Sequence, residues 1–238
     1  MTSQEISEML RSLADPSIAE HSQRFFKTGK GEYGEGDQFL GIRVPVLRTQ
    51  AKKYKNTPLE EIQSLLRSAF HEARLFALLL LVQKFTKANK DEQAKIYQLY
   101  VSYISCINNW DLVDSSAHQI LGAYLEDKDR RSLYELSESD NLLARRVAIM
   151  STFHFIKNNE FDDAIALSKQ MLTDKEDLIH KAVGWMLREI GKRNLETLES
   201  FLKVHAKEMP RTMLRYAIEK LPEAKRKDYL SGSFSSAG

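Results

Sequence analysis

Apolar residues along this chain recur at spacings of three and four in almost every segment between breakers, and no stretch alternates apolar with polar as a half-buried strand would. Only 10 Gly and 5 Pro interrupt the pattern, so the chain is predicted to be all-α. "ADPSIAEHSQRFF", "NKDEQAKIYQLYVSYI" and "SESDNLLARRVAIMSTFHFIK" each place Asp, Asn or Ser ahead of an apolar stripe, which marks a helix start. In "TPLEEI", Thr57 is read as the cap, Pro58 as the first helical position and Glu60 as the closing residue of a capping box. The longest apolar run, Leu75 to Val82, is eight residues, far short of the roughly 20 that cross a bilayer.

The helical pattern also repeats. When "EARLFALLLL", "NNWDLVDSSA", "LARRVAIMST", "HKAVGWMLRE" and "MLRYAIEKLP" are aligned, Ala77, Val113, Ala148, Gly184 and Ala217 coincide at separations of 36, 35, 36 and 33. The mostly small residues in that column suggest close approach of a neighbouring helix, and each unit is long enough for two helices. The spacing suits a HEAT-like hairpin, slightly under the usual period of about 40. Such hairpins stack into a curved solenoid with a concave groove. Residues beside the column, including Asp114 and Trp185, would then occupy equivalent places on successive helices lining that groove. One domain is expected over 1–230, with a disordered tail over 231–238.

Composition narrows the setting more than the function. With 42% apolar residues the chain can bury a sizeable core, and a net charge of +2 means that an anionic partner must be met by a local patch. The single Cys106 rules out an internal disulfide. The polar start "MTSQEISEML" reads as no signal peptide, so a cytoplasmic protein is expected. Nothing in the pattern demands more than a monomer. The six histidines (His21, His71, His118, His154, His180, His205) are scattered without a metal-binding spacing, so neither metal nor cofactor is expected. The Gly-rich segment between Gly29 and Gly41 lacks the spacing of a phosphate loop. It is read as an ordered inter-helix loop, with Pro45 opening the next helix and Arg43, Arg48, Lys52 and Lys53 exposed around it.

The chemistry-bearing stretch is "CINNWDLVDSSAH". Behind an Asn109 cap, Trp110 and Asp114 stand four residues apart and share one helical face, while Val113 and Ala117 form the neighbouring apolar stripe. A core aromatic beside a solvated acid is the ordinary reading of such a pair. The second of only two tryptophans, Trp185, falls in the corresponding helix two repeats on, and "ARRVA" between them supplies Arg145 and Arg146. Two aromatics, an acid and an arginine converging on one concavity make a site the better reading.

The set "NNWDLVD", "LARRVAI" and "HKAVGWMLRE" resembles, over about Phe25 to Lys220, the AlkD-like DNA alkylation repair glycosylases. That resemblance implies removal of positively charged purines such as 3-methyladenine and 7-methylguanine from duplex DNA, without base flipping. By motif, Trp110, Asp114, Arg146 and Trp185 match the family's cleft. Asp114 would stabilise the oxocarbenium-like sugar and orient water, the two indoles would flank it, and Arg146 would hold a phosphate. Further phosphate contacts are expected from Lys181, Arg188, Arg145, Lys52 and Lys53. Asp177 and Leu178 stand where aromatics are expected, and the entry "GKGEYGEGDQFLGI" is longer, which bears on the breadth of lesions accepted. A non-catalytic HEAT-like module that binds DNA structures or a protein is the competing reading. A helix-hairpin-helix glycosylase would need an "LPGVG"-like segment, which the chain lacks.

Overall fold

A computed structural model describes residues 1–233 and divides the chain into two compact units, Met1–Tyr124 and Leu125–Gly238. Both are helical. Among the described residues no strand forms, and an isolated bridge pairs Gln38 with Phe70.

The first unit runs α1 (Ser3–Ser12), α2 (Pro16–Phe25), α3 (Val44–Lys53), α4 (Leu59–Leu66), α5 (His71–Lys87), α6 (Lys90–Ser102) and α7 (Trp110–Asp114). A 3-10 turn at Ile104–Cys106 precedes α7, and a π-helical turn at His118–Gly122 follows it. The helix starts show the local chemistry behind them. Asp15 accepts the Ser17 and Ile18 amides with Pro16 in the first helical turn, and Asn89 closes a capping box with Glu92. The Thr57 cap is a correction: Pro58 takes the N-cap place with no side-chain cap bond. The buried Thr57 hydroxyl donates to the Tyr54 carbonyl at 2.7 Å, so it closes the preceding turn.

α5 organises this unit. Leu75 through Leu81 are all buried, so the helix is apolar on every side and α1, α3, α4 and α6 can pack round it. Its first turn differs in kind, because His71, Glu72 and Arg74 are buried as well. Glu72 accepts the backbone amides of Leu40, Gly41 and Ile42 at 2.8, 2.7 and 3.2 Å and so anchors the end of the Gly-rich segment. Gly41 has φ +81, and a Cβ there would lie 2.0 Å from the Asp15 carbonyl oxygen, so the chain passes α2 with room for no side chain.

The second unit runs α8 (Arg131–Ser137), α9 (Leu142–Ser151), α10 (Phe153–Lys157), α11 (Asp162–Gln170), α12 (Asp177–Gly191), α13 (Leu195–His205), α14 (Arg211–Ala217) and α15 (Glu223–Ser231). α8 packs on α9, and α12 packs on α9, α13 and α14. Gly184 explains the closest of these approaches. A Cβ there would stand 2.5 Å from the Met213 carbonyl oxygen and 2.5 Å from the Tyr216 Cβ, so only glycine lets α14 lie against α12. Every member of the aligned column, Ala77, Val113, Ala148, Gly184 and Ala217, is buried in its own unit. Ser231 ends α15 and Gly232 follows in the left-handed region, while the rest of the tail expected over 231–238, residues 234–238, lies outside the described residues.

Candidate active site

The segment expected to form one helix from Asn109 onward is broken into α7 and the π-helical turn. Two serines account for the break: the Ser115 and Ser116 hydroxyls donate to the carbonyls of Asp111 and Leu112, each at 2.6 Å, and compete with the backbone ladder. The result is a one-turn helix whose start is held by Asn109, fully buried and accepting the Trp110 amide at 2.9 Å.

On that turn the Trp110 ring is half-buried. It stacks on Phe26, with centroids 5.4 Å apart and planes at 26°, and meets Phe25 edge-on at 6.0 Å. Phe26 continues the stack onto Phe39 at 5.1 Å. Phe25 is 57% exposed, so the cluster opens to solvent on that side. Asp114, one turn beyond Trp110, is half-buried. Its charge is felt beneath it: burial above all, and then Asp114, push the hydroxyl of Tyr100 far above its usual range, although the 3.0 Å hydrogen bond to Ser116 works the other way. A carboxylate that reaches solvent beside an open indole can meet a developing cation, which a fully packed core pair could not.

In the second unit, α12 carries Lys181, Trp185 and Arg188 on successive turns. Lys181 pairs with Asp177 at 2.6 Å, and Arg188 pairs with Glu219. The Trp185 Nε1–H donates to the buried Glu189 at 3.3 Å, and its ring lies 6.5 Å from Phe153. Burial works against the Glu189 charge, but Lys192, Arg193 and Trp185 hold its carboxyl below the usual range. From α9, the buried Arg146 donates to the Leu178 carbonyl at 2.6 Å, so the position where an aromatic was expected is read through its backbone. Arg145 is bound to Asp174 at 2.7 Å and to the carbonyls of Ser139 and Asp140, so its fork is spent inside the unit. Lys52 and Lys53 stand exposed at the end of α3. Among the described residues no group of His, Cys, Asp and Glu could hold a metal ion, and no helix is long and apolar enough to cross a membrane.

A family model described as "DNA alkylation repair enzyme" matches residues 6–221. The chain belongs to the DNA alkylation repair enzyme family. Its fold is shared with a predicted DNA alkylation repair enzyme from Enterococcus faecalis, 20% identical, with a TM-score of 0.68 over 88% of this chain and 97% of that one. AlkD2 from Streptococcus mutans is 20% identical with a TM-score of 0.55, over 76% and 91% of the two chains. A second Streptococcus mutans structure, smu.31, is 21% identical with a TM-score of 0.53, over 75% and 93%. No curated protein matches the chain.

One more polar cluster lies behind Trp110, across the Phe26 ring, and sequence reasoning missed it. His71 bridges Asp37 (Nδ1 to Oδ2, 3.2 Å) and Asp111 (Nε2 to Oδ2, 2.9 Å) while its ring stacks on Phe39 at 4.6 Å and lies 5.0 Å from Phe26. Asp37 also accepts from Arg74 and, at 3.1 Å, from Asn108. Burial works against the imidazolium, but the hydrogen bonds to Asp111 and Asp37 override it and raise His71 to about 9. Burial likewise opposes the Asp37 charge, yet His71, Arg74 and Asn108 hold that carboxyl below its ordinary value. The available signal was "HEAR", three ionisable residues opening an otherwise wholly apolar helix.

Proposed function

We propose that this DNA alkylation repair enzyme is a glycosylase that hydrolyses the N-glycosidic bond of positively charged alkylated purines, 3-methyladenine and 7-methylguanine, in duplex DNA. The observation that carries the reading is Asp114, a half-buried carboxylate one turn beyond a half-exposed indole in a chain of this family. As the bond from C1′ to the base breaks, its electron pair leaves with the base and cancels the positive charge there, so no general acid is required. The sugar is left oxocarbenium-like. Asp114 stabilises that cation electrostatically and orients the water whose oxygen bonds to C1′, the water's proton passing to the carboxylate or to solvent. The π-face of Trp110 adds attraction to the same charge.

Trp185 and Arg146 are assigned by the family motif to the second indole face and to a flanking phosphate. Lys181, Arg188, Lys52 and Lys53 are assigned to the DNA backbone, which positions a duplex without reading its sequence. Arg145 takes a lesser share, since Asp174 and the carbonyls of Ser139 and Asp140 together take its guanidinium. Because the sugar and backbone are gripped, the lesion need not be flipped out. The chain acts as a monomer in the cytoplasm with no cofactor. Incubation with methylated duplex DNA and chromatography of the supernatant tests the activity: free 3-methyladenine and 7-methylguanine are expected, and their absence would leave a DNA-binding module.

A further inference from the structure

The buried polar cluster behind Trp110 joins two separate parts of the first unit. His71 is 2% exposed, and its two ring nitrogens reach carboxylates from two different parts of the first unit: Asp37 from the Gly-rich segment and Asp111 from α7, the residue after Trp110. A neutral imidazole has one donor and one acceptor, so an ionised carboxylate at each nitrogen would set lone pairs against lone pairs; a ring protonated on both nitrogens matches the two contacts. Asp37⁻ and Asp111⁻ then balance His71⁺ and Arg74⁺ in one buried group. The same imidazole is the back of a ring stack that runs through Phe26 to Trp110. Trp110 is thus held twice, through its ring by Phe26 and through its neighbour's carboxylate, and both holds end on His71.

We infer that His71 is a positioning residue, which by gripping Asp37 and Asp111 together pins the loop of residues 29–41 to the start of α7 and fixes the Trp110 ring, and with it Asp114, for the sugar. The catalytic part of this inference rests on the glycosylase reading; the mechanical part does not. An apolar filler of the same volume could seat Phe26 and Phe39 but could not join the two acids: Asp37 would keep Arg74 and Asn108, and Asp111 would lose its cation. The charged and titratable groups that face His71 are Asp37 from the loop, Asp111 from α7 and, through Asp37, Arg74 from α5; α2 and the loop present it the rings of Phe26 and Phe39. Removing its charge therefore leaves two carboxylates facing one cation, and the link from Asp111 to the loop is lost while Asp37 keeps Arg74 and Asn108.

The test uses the full chain carrying Trp185→Phe, which leaves Trp110 as the only tryptophan. Acrylamide quenching of its emission is measured in that parent and with His71→Gln or Asp111→Asn added, each checked by far-UV circular dichroism. At pH 7.5 the quenching constant should at least double in either variant. In the parent it should rise by a similar factor between pH 8 and 10, a step absent from Asp111→Asn. In the otherwise wild-type chain, His71→Gln should lower the rate of base release about tenfold at saturating DNA while the KM for DNA stays within twofold. Should His71→Gln fail to fold, Asp111→Asn and the pH series decide. Quenching that is equal in parent and Asp111→Asn and flat with pH overturns the inference, even if base release is intact. Quenching that changes in a chain that releases no base leaves the pin standing and removes the glycosylase reading instead.

Discussion

The imidazole of His71 meets the carboxylate of Asp111 at 2.9 Å, one residue along the chain from Trp110. Stability should therefore depend on pH in the alkaline range. The folded-state value, about 9, lies above the unfolded one of about 6.5, so the contribution is fully present below the unfolded value. It is lost as pH rises through the folded value, and the loss is of order 3 kcal/mol at most. Urea midpoints of the wild-type chain should fall between pH 7 and 10, and His71→Gln should flatten that fall.

Glu72 is buried and takes three backbone amides from residues 40–42. Glu72→Ala leaves those donors without a partner, at about 1–3 kcal/mol for each one that stays buried. The chain should escape most of that cost by opening the loop. Limited proteolysis should then cut between Gly29 and Gly41 in the variant at least tenfold faster than in the wild type, while cleavage elsewhere stays near its normal rate.

At Gly184 propensity and packing oppose each other. Alanine would gain about 1 kcal/mol of helix propensity in an exposed helix. Here its Cβ would press on the Met213 carbonyl, a backbone atom that cannot swing aside. Gly184→Ala should lower stability by about 1–3 kcal/mol, measured by chemical denaturation, despite the better helix former.

Much of this was legible in the chain. The apolar run in α5 and the buried column from Ala77 to Ala217 follow from spacing, because helix packing repeats at a period that a sequence displays. Trp110 and Asp114 on one turn follow from the Asn109 cap and four-residue spacing. What stayed hidden depends on competition or on long range. Thr57 had two carbonyl and amide partners to choose from and bonded backwards to Tyr54. Ser115 and Ser116 could as well have lain in an unbroken helix. The Asp37, His71 and Asp111 set spans positions 34 and 40 residues apart, and no local pattern ties them together. Arg145 and Arg146 look alike in sequence, and only the fold gives one to Asp174 and buries the other against the Leu178 carbonyl.

Exposure separates two of the paired cations in DNA binding: the Lys181 side chain is 40% exposed beside Asp177, and the Arg145 side chain is 17% exposed beside Asp174. Affinity for undamaged duplex should fall steeply with salt, and Lys181→Ala should reduce the slope of log affinity against log salt by about 0.9, one phosphate's worth. Arg145→Ala should leave the slope nearly unchanged and lower thermal stability, because its guanidinium is already committed to Asp174 and two carbonyls. Titration of a fluorescent duplex between 50 and 200 mM salt would separate the two.

The most direct test of the account is the rate of 7-methylguanine release from methylated duplex DNA by the wild-type chain and by Asp114→Asn, with duplex affinity measured alongside. The amide keeps the shape of the carboxylate and loses its charge. Release should fall at least about 100-fold, or about 2.7 kcal/mol of transition-state stabilisation, with affinity nearly intact. Equal release by the two proteins would contradict it.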